Sequence, residues 1–281
     1  MKLDVRTYFK LLCQNLKNGC LMARADLLNA ILERASVRSF DKDKLVSEED
    51  LKRILTAGIR APSAGNIQPR TFIVIKDEKV KERLYELCEN QAFMKDAPVW
   101  IVVCLDLHRH LKAAKLTGVD YDFTGILPYT FGVLDAALSL ENMVIAAEVL
   151  GLGSVIIGSI IEHPKKVKEI LNLPEHCLAL SILCIGHPKK KPRRREKWSY
   201  RVMVCENRYR DISLRDVSEY WKKVVSNSLK RSGKKPTKED IEKICKERSY
   251  GVAYSNHYRE EFVKDVNKKL MNFLMEQSLL K

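Results

Sequence analysis

Two basic segments of the chain have side chains of the types that bind anions. In the stretch RASVRSF, Arg34, Ser36 and Arg38 alternate with Ala35 and Val37. If the stretch is extended, its three polar side chains point to one side and form one wall of a ligand site. The same spacing also fits a helix that ends near Arg34, followed by a serine that caps the next helix. The residues alone leave both interpretations open.

The second basic segment, GHPKKKPRRREK, places six Lys or Arg residues within seven positions. Pro188 and Pro192 restrict its backbone, so a basic pair beyond Pro192 would be positioned to bind a phosphate. A charge run of this kind is also typical of a solvated surface, and it would act as a nuclear signal only in a eukaryotic context. Because Trp198 and Tyr200 lie only at its edge, the segment lacks the interleaved aromatic residues that stack on bases. Nucleic acid is therefore the weaker candidate partner.

The chain lacks the motifs of enzymes whose own side chains carry the reaction. It contains no GxSxG, HExxH, Walker or GxGxxG sequence. Its eight cysteines form no CxxC pair and lie mostly within apolar runs. That distribution is typical of buried free thiols and not of a metal site or a disulfide framework. We therefore expect no metal, and we infer that a bound cofactor supplies the chemistry.

The composition predicts a folded protein with anionic partners. The 281 residues are 46% hydrophobic and 31% charged, which is enough to bury a substantial core. The net charge of +14 favours nucleic acid, a membrane surface or phosphorylated small molecules. Residues 1–21 contain no secretory signal and are expected to be an appendage. The apolar segment Phe131 to Leu150 is interrupted by Asp135 and Glu141, so we expect a buried helix, no membrane partner and a cytoplasmic location.

The periodic segments that must position these residues alternate between helix and strand. Ser47 followed by Asp50 predicts a helix start, and Pro164 predicts another. β-branched and apolar runs predict four short strands, in TFIVIKD, APVWIVVCLDL, GLGSVIIGSI and CLALSILCIG. The last of these is apolar throughout, which indicates a strand covered on both faces. Further helices are expected at about 78–89, 131–150 and 257–280, the last within a charged helical region that begins after residue 200.

Six segments, taken in order, resemble the FMN-dependent nitroreductase superfamily. They are RASVRSF, APSAGNIQP, NQAFMKDAPVWIVVCLD, AAEVLGLGSVIIGSI, CIGHPKKKPRRREK and VCENRY, and they span about residues 30–210. The similarity is greatest to the branch of oxygen-insensitive nitroreductases and NADPH-flavin oxidoreductases. It implies an α+β fold with a mixed central sheet flanked by helices and a long helix at a homodimer interface, where FMN binds. The implied domains are the appendage 1–21, an FMN domain 22–210, and a helical C-terminal extension 211–281.

The resemblance also assigns roles around the flavin. Arg34 and Ser36 would contact the phosphate and the ribityl chain, and Arg38 would lie near the N1 and O2 edge of the ring. There a cation stabilises the negative charge of reduced flavin. Gln91 matches a polar contact to the ring edge.

Three further segments complete the implied cofactor site. A loop that contacts the flavin from the partner subunit matches Ser63, Gly65 and Asn66. The backbone that approaches flavin N5 and O4 matches Ile157, Gly158 and Ser159. The phosphate ligands match Arg195 and Lys197, although Glu196 stands where relatives commonly have proline, so Arg194 is an alternative to Arg195.

The activity implied by the resemblance is electron transfer from NAD(P)H through FMN to a nitroaromatic, a quinone, a flavin or a similar small acceptor. The flavin carries the hydride, and no protein side chain is obligatory. Alternatives are a specialised family member, such as a reductive dehalogenase or a flavin-consuming enzyme, and a basic nucleic-acid-binding protein that keeps the fold. The choice between NADPH and NADH stays open, although the positive charge of the chain favours NADPH. The resemblance implies a C-terminal loop that recognises the NADPH 2′-phosphate, and either KRSGKKPTKED or KERSYG could serve as that loop.

Overall fold

The computed structural model describes residues 27–190, 192–233, 235, 237–247 and 258–280. The chain divides into two compact units, one formed by Met1–Arg193 with Lys269–Lys281 and the other by Arg194–Lys268. The predicted appendage at 1–21 lies outside the described residues. The division between the units, after Arg193, lies 17 residues before the predicted boundary at 210. Residues 269–281 belong to the first unit. The domain limits inferred from the resemblance therefore stay a prediction.

The first unit is built on a four-stranded sheet. Its strands are β1 (Arg70–Ile75), β2 (Val99–Asp106), β3 (Gly153–Ile157) and β4 (Cys177–Gly186), in the order β1-β2-β4-β3. The α+β class is confirmed. The expected mixture of strand directions is not seen among the described strands, where all three neighbouring pairs are antiparallel. A strand that is apolar throughout indicates that helices cover both faces of the sheet. It does not indicate whether the strand runs parallel or antiparallel to its neighbours.

Helices cover both faces of this sheet. They are α1 (Glu48–Ile59), α2 (Glu78–Leu87), α3 (His108–Leu116), α4 (Ile126–Val149) and α5 (Pro164–Leu171). Alternate residues of β2 enter two different cores. Trp100 and Val102 pack with α2 and α5, whereas Ile101 and Val103 pack with α1 and α4. The expectation that the central strands are covered on both faces is confirmed.

Several predicted helix starts are confirmed, and one is displaced. Ser47 caps α1 through a hydrogen bond from the Asp50 backbone N–H, and Pro164 begins α5. Helix α4 begins at Ile126, five residues before the predicted start at Phe131. Gly125, with φ 95°, supplies the sharp turn before it, and Pro128 is tolerated because the first turn of a helix needs no intrahelical N–H bond.

Helix α4 is the one described helix long and apolar enough to cross a membrane by length and composition. It contains the buried Asp135 and packs on the sheet through Met143, Val144 and Ala147, as the core helix of a soluble protein does. Its other side exposes apolar side chains, namely Ile126, Leu127, Leu134, Leu138 and Val149. The helix therefore has one face packed within its own chain and one apolar face that the described residues leave exposed.

The second unit is helical, as expected for this part of the sequence. It contains α6 (Tyr200–Met203), α7 (Leu214–Arg231), α8 (Lys238–Glu247) and the beginning of α9 (Glu260–Glu276). Asp216 fixes the start of α7 in a capping box with Ser213. Hydrogen bonds from the Ser213 backbone and hydroxyl, and then from Arg210, lower the pKa of Asp216 to about 2. The carboxylate is thus ionised at neutral pH and also pairs with Arg201.

The end of the chain completes the core of the first unit. Phe273, Leu274 and Leu279 are buried in a cluster with Leu105 of β2 and Leu178 of β4, together with Leu107. Two polar contacts support this packing, from Lys165 to Glu276 and from Lys168 to Gln277. The C-terminal residues are therefore part of the sheet-bearing unit and not a peripheral extension.

Candidate active site

The first basic segment is extended and has one apolar and one polar side. A helical stretch at 27–33 ends just before it. Ala35 and Val37 are buried, whereas Arg34 and Ser36 are half-buried and Arg38 is exposed. The Val37 N–H donates to the Ser154 carbonyl of β3 over 2.9 Å. The extended interpretation is therefore confirmed, and the serine that caps the following helix α1 is Ser47.

The structure joins this segment to the start of the second basic segment. The Asp41 N–H donates to the His187 carbonyl over 2.8 Å, and the Lys189 N–H donates to the Ser39 carbonyl over 2.9 Å. Phe40 and Pro188 form an antiparallel bridge between these hydrogen bonds. Two motifs almost 150 residues apart in sequence are thus held side by side along the β3–β4 edge of the sheet.

Close packing against Gly153 fixes the position of the extended segment. A Cβ added at Gly153 would lie 2.4 Å from Val37 Cγ2, far inside normal contact distance. We therefore expect Gly153→Ala to lower the free energy of unfolding by about 1–3 kcal/mol, because the added methyl group overpacks this contact. Urea denaturation followed by circular dichroism measures the change.

The matched control for this prediction is Gly158→Ala, five residues further on. Gly158 has φ −89°, which any residue adopts, and an added Cβ would meet no atom within 4 Å. Its urea midpoint should stay close to that of the parent protein. Equal midpoints for the two variants would contradict the close contact between Val37 and Gly153.

Predicted site residues from three different segments are brought together near β3. The Gln91 side-chain amide donates to the Ser159 hydroxyl over 3.4 Å and to the Cys88 carbonyl over 3.2 Å. The Arg38 guanidinium lies over the ring of Phe93, 5.8 Å from its centroid. Since Phe93 follows Gln91 by two residues, this ring links Arg38 to the Gln91–Ser159 pair.

The backbone beside this group is open. Ile157 is buried as the last residue of β3, whereas Gly158 is exposed and faces no atom within 4 Å of an added Cβ. Ser159 is half-buried and begins a short 3₁₀ helix, Ser159–Glu162. The available groups are a cation, neutral hydrogen-bonding side chains and an unobstructed glycine backbone. This set of donors fits a flat ring with a polar edge, such as the flavin that the resemblance implies.

Arg34 lies at the other end of the extended segment, near the C-terminal end of α4. Burial raises the pKa of Glu148, and the positive charge of Arg34 opposes that rise. The half-buried guanidinium therefore has a carboxylate in its neighbourhood. Its charge is only partly solvated, which strengthens its interaction with an anion.

The loop with Ser63, Gly65 and Asn66 is held on α4 by a different set of contacts. Gly65 and Asn66 both have positive φ, 54° and 56°, in a short 3₁₀ turn. The Ser63 hydroxyl accepts from the Gln68 N–H over 2.7 Å, and the Ala64 N–H donates to Asp135 Oδ1 over 3.2 Å. The exposed Gly65 and Asn66 thus present their backbone to solvent from a turn that is anchored at one buried carboxylate.

The anchor of this loop is a buried ion pair that the sequence did not reveal. Arg70 Nη1 lies 3.0 Å from Asp135 Oδ2, and the two side chains are 4% and 2% exposed. Arg70 Nη2 also donates to the carbonyls of Ile59 and Ala61. The available signal was Asp135 itself, an acidic residue within an apolar helix, which requires a partner when buried.

Arg195 and Lys197 belong to the second unit, where both are exposed. Between them, Glu196 Oε1 accepts a hydrogen bond of 2.7 Å from the Asn227 side chain of α7. Trp198 stacks on Tyr220 of the same helix, with ring centroids 4.3 Å apart. Glu196, which departs from the proline common in relatives, therefore ties the basic segment to α7 while its two cationic neighbours stay accessible.

Comparison with known proteins shows which family the chain belongs to. The sequence profile described as the nitroreductase family matches residues 31–92 and 88–187. The chain belongs to the nitroreductase family. Two curated relatives of the chain are the NADPH-flavin oxidoreductase of Vibrio harveyi and the FMN reductase [NAD(P)H] of Bacillus subtilis. The first is 31% identical over 193 residues, 69% of this chain and 78% of the relative. The second is 30% identical over 243 residues, 84% of this chain and 95% of the relative.

Solved nitroreductase structures share the fold over most of the chain. NfrA2 of B. megaterium has a TM-score of 0.79 and 28% identity, covering 90% of this nitroreductase and 98% of the solved chain. The hypothetical oxidoreductase YcnD of Bacillus subtilis has a TM-score of 0.78 and 25% identity, covering the same shares of the two chains. The nitroreductase identification made from six sequence segments is confirmed.

Proposed function

We propose that this nitroreductase is an FMN-dependent oxidoreductase that passes electrons from NAD(P)H to a small acceptor such as a nitroaromatic, a quinone or a flavin. The grouping of Arg38, Gln91 and Ser159 beside the open backbone of Gly158 carries the proposal, because it supplies a cation and hydrogen-bond donors on one side of an accessible space. The relatives named as NADPH-flavin oxidoreductase and FMN reductase support the same class of activity.

The residues that would hold FMN fall into two groups, those that suit its phosphate and ribityl chain and those that suit its ring. Arg34 and Ser36 of the first unit suit the phosphate and ribityl chain, since arginine binds phosphate by charge and hydrogen bonds. Arg195 and Lys197 of the second unit are exposed cations of the same kind, as the resemblance implies for phosphate ligands. Arg38 suits the ring edge that becomes negative on reduction. FMN held by these residues would supply the redox chemistry between NAD(P)H and the acceptor.

The remaining contacts orient the ring. Gln91 donates from one edge, and the backbone at Ile157, Gly158 and Ser159 offers N–H groups without a side chain in the way. Ser63, Gly65 and Asn66 would come from a second subunit.

The two buried thiols near the site, those of Cys88 and Cys184, are poor nucleophiles. Burial raises the pKa of Cys88 to about 12, even though the Ser159 side chain opposes this change. Burial also raises the pKa of Cys184. Both thiols stay protonated at neutral pH and do not attack substrates. Solvent can then provide the protons that a reduced acceptor requires.

A homodimer is the assembly that α4 supports. Leu127, Leu134 and Leu138 are 61%, 54% and 45% exposed on a helix whose opposite side is packed in the core. Covering such an apolar face with a second copy removes it from water. A dimer would also provide the loop of Ser63, Gly65 and Asn66 from the partner subunit. A cytoplasmic location is part of this proposal.

An absorption spectrum of the purified protein, with its mass measured by light scattering, tests the proposal. We expect flavin bands near ~450 nm that bleach on anaerobic addition of NADPH or NADH, and twice the mass of one chain. Quinones, nitroaromatics and free flavin are then added one at a time to the reduced protein, and the compound that reoxidises it identifies the acceptor. A colourless protein that takes up no FMN and does not respond to either nicotinamide would refute the enzyme assignment.

A further inference from the structure

A groove lies over the sheet of the first unit, where β2 ends and β4 begins. One wall is α3, the other is the turn 171–174 that follows α5, and the base contains Thr71, Ile73, Asp106 and Cys177. We call it the α3 groove. Its volume is about 440 Å³, within the range of pockets that hold small ligands. None of its lining residues is assigned to the flavin.

Much of the α3 groove is apolar. Ile73 and Cys177 at its base also belong to the core of the sheet, and Cys177 is only 2% exposed. Leu171 and Leu173 line the wall opposite α3. On α3 itself, Leu116 lines the groove and is 76% exposed. An apolar ligand in the groove would remove this surface from water.

Helix α3 turns one face towards this groove. His108, Lys112 and Leu116 recur every four residues on that face, and Arg109 lies beside them. The sequence of α3, HRHLKAAKL, contains no acidic residue, so no carboxylate of the helix itself can pair with these cations. The face that lines the groove is therefore cationic at the start of the helix and apolar at its end.

Asp106 is the one carboxylate among the lining residues, and it already has partners within the chain. Its Oδ1 atom accepts from the Arg109 backbone N–H over 3.0 Å, and its Oδ2 atom accepts from the Thr71 hydroxyl. The Arg109 side chain reaches Oδ2 only through Nε, over 3.5 Å, and is 72% exposed. Its two Nη atoms make no hydrogen bond to any residue that the structure describes, so they can bind a ligand.

The positive charge of the α3 groove exceeds its negative charge. Within the described part of the chain, no carboxylate lies within 4.0 Å of Lys112 Nζ. Arg109 and Lys112 are three residues apart, hence neighbours on the helix surface, and their like charges repel. With histidine counted as neutral, these two cations and the Asp106 carboxylate leave one surplus positive charge. One negative charge between Arg109 and Lys112 would balance it, whereas a dianion would overcompensate.

We propose that the α3 groove binds a small monocarboxylate with an apolar body. The carboxylate accepts hydrogen bonds from the Nη atoms of Arg109 and from the ammonium group of Lys112. The apolar body lies between Leu116 and the opposite wall, where Leu171 and Leu173 cover it. The site shares no residue with the flavin site, so the inference does not depend on the proposed oxidoreductase activity.

Isothermal titration of the purified protein with decanoate, below the concentration at which decanoate forms micelles, tests the proposal. We expect one site per chain, and we expect Lys112→Gln to weaken binding about tenfold through loss of one charged contact. Leu116→Ala should also weaken binding, because it removes apolar surface from the groove. Decanamide has the same chain without the charge, and it should bind weakly and equally to the parent protein and to Lys112→Gln.

The matched control is Lys115→Gln, which removes a lysine of α3 outside the groove lining and should leave the affinity unchanged. Far-ultraviolet circular dichroism of each variant verifies that the protein is folded. Equal affinities of the parent and Lys112→Gln for decanoate would overturn the proposal, because the ligand would then bind elsewhere, as in the flavin site. Absence of binding would also overturn it, and so would binding to decanoate micelles alone, which would indicate a lipid-binding surface instead.

Discussion

Replacing Asp135 by leucine is expected to destabilise the first unit by about 3–5 kcal/mol, the usual cost of leaving one member of a buried ion pair without its partner. The guanidinium of Arg70 would stay buried, with its Nη1 atom facing the space that Asp135 Oδ2 now occupies at 3.0 Å. The Ala64 N–H would lose its acceptor as well. The loop of Ser63, Gly65 and Asn66 would then be detached from α4. Urea denaturation measures the stability, and proteolysis of the loop measures its release.

The double variant Arg70→Met with Asp135→Leu separates the charge effect from packing. Because replacing both members of a buried pair with apolar residues removes the unpaired charge, it should recover part of the lost stability. The Ala64 N–H and the Ile59 and Ala61 carbonyls still lose their partners, so recovery is incomplete. The exposed pair Lys76–Glu48 serves as the control, since its side chains are 68% and 81% exposed and Glu48→Gln should cost less than about 1 kcal/mol. An Asp135→Leu variant as stable as Glu48→Gln would show that the buried pair does not hold the loop.

Replacing Arg38 by glutamine is expected to slow reduction of bound FMN by NAD(P)H by about 100-fold, the usual effect of removing one group that stabilises developing negative charge. FMN binding should weaken much less, because the phosphate contacts are made by other residues. The reduction potential of bound FMN should also become more negative. Anaerobic stopped-flow absorbance gives the rate, and equilibrium titration with a redox dye gives the potential.

Two further variants test whether Arg38 acts through its charge. Arg38→Lys keeps the charge and should retain part of the rate, although it loses the planar guanidinium. Phe93→Leu removes the ring that lies 5.8 Å from Arg38 and should reproduce part of the Arg38→Gln effect by releasing the guanidinium. Unchanged reduction kinetics and an unchanged potential in Arg38→Gln would remove Arg38 from its assigned role.

Local sequence patterns predicted the features that depend on neighbouring residues. The alternation at 34–38, the Ser47 cap and the Pro164 start each follow from backbone geometry within a few residues. Helix α3 was not predicted, because its nine residues contain only two leucines and bury none of their side chains. A short helix without an apolar stripe gives no periodic signal.

Contacts between residues that are distant in sequence were harder to predict from the sequence. Nothing near Arg70 indicates a partner 65 residues away, and nothing near Glu196 indicates the amide of Asn227. The direction of the strands depends on how the intervening helices cross the sheet, and apolar strands look alike in either direction. The resemblance supplied the list of cofactor residues, but the contacts between Arg38, Phe93, Gln91 and Ser159 required the three-dimensional arrangement.

The return of residues 269–280 to the first unit has a consequence for biosynthesis. Leu105, Leu107 and Leu178 leave the ribosome long before Phe273, Leu274 and Leu279, which complete their cluster. Until residues 273–279 have left the ribosome, the nascent chain exposes Leu105, Leu107 and Leu178 without these partners, and contacts of such long sequence separation form late. Completion of this apolar cluster therefore has to wait for synthesis of the intervening 75 residues, Arg194–Lys268.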